Sequence, residues 1–213
     1  MLTILVTNTK GGCGKTTIAT NLAGTFANAG FRTVLADCDR QKSSLGWVSR
    51  RPSSAPAIGA VNWSKDISPL PAGTERLVID AAAGLRRKNV EELVRMADIV
   101  LLPVLPSVFD ENATRQFLGM LDKLKAIRKD KRAVAVIGNR VRARTKTSER
   151  LDTYLASIGH RAVTQLRDTQ LYPTAALSGL SLFDMGTRRV DNFLEDWRPL
   201  LSFIEDNSGK MKR

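Results

Sequence analysis

Apolar residues recur along this chain in two alternating periods. Leu2-Thr3-Ile4-Leu5-Val6 is a short apolar run that reads as a buried strand. Ile18, Leu22, Ala23 and Phe26 follow at the spacing of one helix face, with Gly30 where a helix C-cap glycine stands. The succession then repeats. Thr33-Val34-Leu35-Ala36-Asp37 predicts a second strand, a short helix is expected from Gln41 to Val48, and Arg76-Leu77-Val78-Ile79-Asp80 predicts another strand. Arg86 to Met96 reads as a helix, Asp98 to Val104 as a strand, and the residues after Pro106 as one long helix to about Ile127. A strand ending at Asn139, a helix from near Thr147 and a short strand after His160 come next. The last helix carries Val190, Phe193, Leu194, Trp197, Leu201 and Ile204 on one face. Residues 50–75 are rich in Pro, Ser, Ala and Gly, and only Ala60-Val61-Asn62-Trp63 reads there as a strand. Strand alternating with helix predicts an α/β fold, a mostly parallel sheet flanked by helices. The expected domain spans residues 1–206, followed by a short basic tail at 207–213.

The first strand and first helix enclose Asn8-Thr9-Lys10-Gly11-Gly12-Cys13-Gly14-Lys15-Thr16-Thr17. Strand, glycine-rich loop and helix is the setting of a phosphate-binding loop. Glycines let a phosphate chain approach the backbone, whose N–H groups converge on it together with the positive end of the helix. Gly11, Gly12, Cys13, Gly14 and Thr17 then belong to the cradle, Lys15 reaches the terminal phosphates, and Thr16 offers a hydroxyl to magnesium. The pattern G-x-x-x-x-G-K-[ST] asks for glycine at position 9, where this chain has Thr9, and it carries an additional lysine at Lys10.

Carboxylates follow at the expected places. Asp37 and Asp39 stand at i and i+2, so strand alternation predicts both on one face at the carboxyl edge of the sheet. One can hold a metal-bound water while the other orients an attacking water. Asp80 ends an apolar strand in the manner of a Walker B aspartate. Asn139 pairs a donor with an acceptor, as an adenine edge requires, and a turn-forming asparagine is the competing reading. His160 has no Ser, Cys or acidic motif beside it and reads as a surface or turn residue.

Composition narrows the class. The chain has 213 residues, 43% of them hydrophobic and 25% charged, which suits one soluble domain. It contains no run of eighteen apolar residues, and Met1 leads straight into the first strand without a basic n-region, so neither a membrane span nor secretion is expected. Cys13 and Cys38 lack metal-ligand spacing and read as reduced thiols rather than cluster ligands. The net charge of +12 favours a polyanionic partner. Cations gather in Arg140-Val141-Arg142-Ala143-Arg144-Thr145-Lys146 and at Arg188-Arg189. With no sequence-reading module in view, contact with nucleic acid is expected at backbone phosphates and sensitive to salt.

The loop from Lys10 to Thr16 resembles the deviant Walker A motif of the ParA/MinD family of ATPases, whose early lysine works across a dimer interface. Asp37-Cys38-Asp39-Arg40-Gln41 is similar to the family's D-x-D-P-Q segment, with Arg40 in place of proline, and Ala82 stands where a proline is common after the Walker B aspartate. Pro103-Val104-Leu105-Pro106-Ser107-Val108-Phe109-Asp110 resembles a family turn, with Asp110 read as the helix cap, and Arg167 to Pro173 resembles the loop over the base. The resemblance implies ATP and Mg2+, with Lys10, Lys15 and Asp39 catalytic, and Thr16, Asp37 and Asp80 serving the metal. It implies Asn139 at the base, and non-specific DNA binding for which Arg142, Arg144, Arg188 and Arg189 are the candidates. A homodimer sandwiching ATP, a ParB-like or cargo-adaptor protein that stimulates slow hydrolysis, and a cytoplasmic, nucleoid-associated location complete the expectation. Three alternatives stand beside it. A MinD-like membrane regulator calls for an amphipathic tail, whereas residues 207–213 hold one apolar residue. A dethiobiotin-synthetase-like ligase leaves the charge of +12 unexplained. A DNA-binding protein without turnover would show no ATP dependence in a DNA shift assay.

Overall fold

A computed structural model of the chain describes residues 1–128, 132–142 and 146–208. Seven strands form one sheet: β1 (Leu2–Val6), β2 (Thr33–Asp37), β3 (Gly59–Asn62), β4 (Arg76–Asp80), β5 (Ile99–Val104), β6 (Ala133–Val141) and β7 (Ala162–Arg167). Their order is β3-β2-β4-β1-β5-β6-β7, and every pairing is parallel. The helices are α1 (Lys15–Asn28), α2 (Ser43–Ser49), α3 (Arg87–Met96), α4 (Val108–Leu121), α5 (Lys125–Arg128), α6 (Lys146–Ser157), α7 (Leu171–Leu177), α8 (Arg188–Leu194) and α9 (Arg198–Ser208).

Strand alternation divides the core between the two faces of the sheet. Leu5, Leu77, Ile79, Val100 and Leu102 meet α3, α4 and α6 through Val90, Val94, Leu118, Leu121 and Leu155. Ile4, Val6, Val78, Ile99 and Leu101 meet α1 and α9 through Ile18, Leu22, Phe26, Leu200 and Ile204. Central strands buried on both faces read as the near-continuous apolar runs seen in the sequence.

Four boundaries differ from the periodic pattern, each for a local reason. The long helix stops at Leu121, and the chain tightens through i→i−3 bonds from Lys123 N to Met120 O and Leu124 N to Leu121 O, which keeps Leu121 and Leu124 both buried before α5 begins. Helix α4 starts at Val108 with Ser107 at the cap position, so Asp110 falls in its first turn and is not the cap. The last helix is broken at Glu195–Trp197, a 3-10 turn. There the Asp196 carboxylate accepts from Arg167 Nε at 2.8 Å and its carbonyl accepts from the Thr164 hydroxyl, so the break covers the outer edge of β7. Leu200 and Ile204 of the resulting α9 are buried, whereas Leu201 is half-buried. Strand β6 runs two residues past Asn139, through a bulge where Arg140 takes a φ of 52°.

Candidate nucleotide-binding site

The sheet register brings the strand ends together. Val6 pairs with Asp80, and Asp80 pairs with Asp37, so β1, β4 and β2 finish at one level and the loop after β1 leaves beside both carboxylates. Chain order reverses around β1, which places the loop in the crevice where open α/β sheets take ligands.

The loop is tied on three sides. Asn8 Nδ2 donates to Pro103 O at 2.7 Å, Gly84 N donates to Thr9 O at 3.1 Å, and Asn139 Nδ2 donates to Cys13 O at 2.8 Å. Gly12 and Gly14 have φ of 73° and 95°, in the left-handed region open to glycine. At Gly14 space is also decisive: a Cβ there would lie 2.0 Å from Asn139 Nδ2. Gly14 caps α1, whose first N–H groups therefore point into the loop. Lys15 is buried, and its ammonium donates to Lys10 O at 2.8 Å, so the charge sits over the loop's own backbone.

Asp80 is buried, and its Oδ1 accepts no hydrogen bond. Burial pushes its pKa up to about 7, and Asp37 adds to this, while the Thr16 and Ser44 hydroxyls and the Lys15 ammonium act in the opposite sense. Ser44 Oγ is likewise buried without a partner. Orphaned oxygens beside a hydroxyl and a lysine fit a hydrated magnesium ion. No cluster of three or more His, Cys, Asp or Glu suited to a metal occurs among the described residues, and magnesium needs none, since it takes one or two carboxylates and completes its sphere with water and phosphate oxygens. Thr16 and Asp80 are the groups that would hold it.

Asp37 has a structural task beside the one its spacing predicts. Its Oδ2 accepts from Ser44 N and Leu45 N, both at 3.0 Å, and its Oδ1 accepts from Asp39 N at 2.9 Å. Three of about four lone-pair directions are thereby filled, which fastens the start of α2 and leaves at most one toward a water. Strand β2 ends at Asp37, so alternation does not extend to Asp39 and the expected shared face does not form. Asp39 is half-buried in the following turn, where its Oδ1 accepts from Gln41 N at 2.9 Å. Lys42, at the N-cap of α2, has a φ of 54°.

A cavity of about 490 Å³ opens from Thr16 and Thr17 past Asn139 and Arg140 to Asp168, Thr169 and Tyr172. That volume is within the usual range for a small-molecule site. The Tyr172 hydroxyl accepts from Trp197 Nε1 at 3.0 Å, and burial raises its pKa to about 12, so the cavity wall is braced from the C-terminal part of the chain.

Residues 4–182 match the model of the CobQ/CobB/MinD/ParA nucleotide binding domain. The chain belongs to this family. Among its relatives is the maintenance of carboxysome distribution protein A of Halothiobacillus neapolitanus, 30% identical over 193 residues that cover 87% of this chain and 88% of that protein. The fold recurs in the ATP complex of a singly substituted Cyanothece McdA, with a TM-score of 0.75, 14% identity and coverage of 98% and 96%. It recurs also in the MinD cell division protein of Aquifex aeolicus, with a TM-score of 0.70, 18% identity and coverage of 95% and 98%.

In this member of the CobQ/CobB/MinD/ParA family, Asp80 and Asn139 lie beside the loop formed by Gly11 to Thr17. One of the two Asn139 amide N–H groups donates to the loop backbone, a structural bond that no local pattern in the sequence signals, while Asn139 also lines the cavity. Lys10 is half-buried and donates its backbone N–H to Asn8 Oδ1 at 3.1 Å. Arg142 is exposed, Arg188 and Arg189 are exposed in the first turn of α8, and Arg144 lies outside the described residues. Arg140, read in the sequence only as part of a cation cluster, lines the cavity. Ser44 and the ion pair of Arg51 with Asp184 carried no sequence signal, because each depends on a neighbour distant in the chain. Arg51 Nη2 lies 2.8 Å from Asp184 Oδ1, and both side chains are buried.

Proposed function

We propose that this protein is an ATP-dependent, dimerising ATPase that binds DNA non-specifically and positions or partitions a cargo over the nucleoid. The observation that carries this is Asp80, a buried carboxylate with an unpartnered oxygen beside Lys15 and Thr16, in a phosphate loop that also holds Lys10. In this reading Lys15 and the loop N–H groups hold the phosphates of ATP, and Asp39 orients the attacking water. Thr16 and Asp80 hold magnesium, and Asp37 contributes through the lone-pair direction it has left. Magnesium, when bound, offsets the negative charge of the phosphates. Asn139 fixes the loop beside the base. Lys10 reaches the nucleotide of a second copy and offsets charge on the transferred group.

Charge supports the DNA arm of the proposal. Arg188 and Arg189 stand in the first turn of α8, where the helix dipole disfavours cations, and neither forms an ion pair among the described residues. Phosphates would offset that cost, and Arg142 and Arg144 are the further candidates. The relative named for carboxysome distribution favours a protein assembly over a plasmid or chromosome as cargo. A ParB-like or cargo-adaptor protein would stimulate hydrolysis and release the ATPase locally. The test is retention on non-specific DNA with ATP, with ADP and without nucleotide, over a series of salt concentrations. Retention only with ATP, falling steeply with salt, is expected; equal retention in all three states would remove the central claim.

A further inference from the structure

Ser44 is fully buried, at 0% exposure, and its hydroxyl has no hydrogen-bond partner. A buried polar atom left in this state costs free energy, and an alanine would fill the position without that cost. The backbone of Ser44 is held firmly, since its N–H donates to Asp37 Oδ2 at 3.0 Å in the first turn of α2. The hydroxyl therefore has a fixed origin. Asp80 Oδ1 is also without a partner, and Asp37, which accepts the Ser44 N–H, is the register partner of Asp80 across β2 and β4, so Ser44 and Asp80 stand at one strand end. Two buried oxygens without a hydrogen-bond partner, both beside the ends of β2 and β4, are a setting for an ordered water. The adjacent Ser43 lines the open cavity instead, which separates the two serines by role.

We propose that Ser44 is a positioning residue for the cation: its hydroxyl and Asp80 Oδ1 together hold a water in the shell of a magnesium ion that arrives with the nucleotide. The inference rests on the nucleotide-binding reading of the site. It makes the first turn of α2 sense the metal, because Ser44 offers its hydroxyl to that water and its N–H to Asp37. It also accounts for a serine at a position where the bare protein gains nothing from one.

The experiment is a titration of the full chain with a slowly hydrolysed ATP analogue, for wild type and Ser44→Ala, in EDTA and then in magnesium. In EDTA the two are expected to bind alike, and the metal-free variant is expected to melt at or above the wild-type temperature. In magnesium the variant is expected to lose roughly 10-fold of the affinity gain that wild type shows, the lower end of what removing a metal-supporting group costs. An undiminished magnesium gain in Ser44→Ala overturns the proposal. So does a metal-free variant that is markedly less stable than wild type, since the hydroxyl would then serve the bare fold. A wild-type protein whose affinity is unchanged by magnesium overturns both this proposal and the reading of the site on which it rests.

Discussion

Replacing Asp80 by asparagine tests the electrostatics of the site without any ligand. Burial raises the Asp80 pKa from its ordinary value of 3.8 to about 7. Between these values the folded chain keeps a proton that the unfolded chain has released, so stability falls as pH rises through that window. The gap corresponds to ~4 kcal/mol at full ionisation, an upper figure because water entering the crevice relaxes the penalty. An asparagine side chain keeps the shape and stays neutral. In EDTA, Asp80→Asn is therefore expected to match wild type near pH 4 and to exceed its stability by about 2–4 kcal/mol near pH 8. Denaturant unfolding followed by tryptophan fluorescence reads this directly, since Trp47 and Trp197 are buried. Comparing the two proteins at each pH cancels the titrating groups that do not interact with Asp80. A difference that does not change with pH would refute the argument. Magnesium with nucleotide is expected to reverse the order, because it stabilises only the chain that retains the carboxylate.

Three further outcomes follow from the same geometry. Lys15→Ala should abolish nucleotide binding, whereas Lys10→Ala should spare it while losing dimerisation and turnover; sedimentation and phosphate release distinguish the two, and wild-type hydrolysis by Lys10→Ala would refute the assignment. Gly14→Ala should cost about 1–2 kcal/mol for its left-handed backbone and a further ~1–3 kcal/mol for displacing the Asn139 bond, read by thermal unfolding together with loss of nucleotide affinity. Arg51→Ala leaves Asp184 buried beside Ser181 and Asn28 without its cation and should cost ~3–5 kcal/mol. Burial alone would raise the Asp184 pKa, yet Arg51, Ser181 and Asn28 bring it below its ordinary 3.8, so this contribution is present above that pH and is lost as pH falls through the lowered value. An Arg51→Ala protein as stable as wild type at neutral pH would show that the pair contributes nothing.

Local chemistry wrote much of this protein legibly. The phosphate loop could be read because a strand, glycines, Lys15 and Thr16 must be consecutive for backbone N–H groups to converge on one anion, and Asp80 because a buried apolar strand that ends in a carboxylate needs a reason for it. The α/β alternation and the two buried faces followed from periods of 2 and 3.6, which depend only on backbone geometry. What depended on distant neighbours was not legible. Asp37 looked like half of a carboxylate pair, but β2 ends there and the start of α2 takes up its oxygens. Asn139 was legible as a polar residue near a strand end, but not that β6 continues past it or that one of its amide N–H groups braces Cys13. The last amphipathic helix is broken at Glu195–Trp197, where Asp196 meets Arg167 at the edge of the sheet. The sequence by itself determined the strand–helix alternation and where the glycine-rich loop lies, since both are set within a few consecutive residues. Only the tertiary structure decided which carboxylate stays unpartnered, because that depends on what the fold brings to each oxygen from elsewhere in the chain.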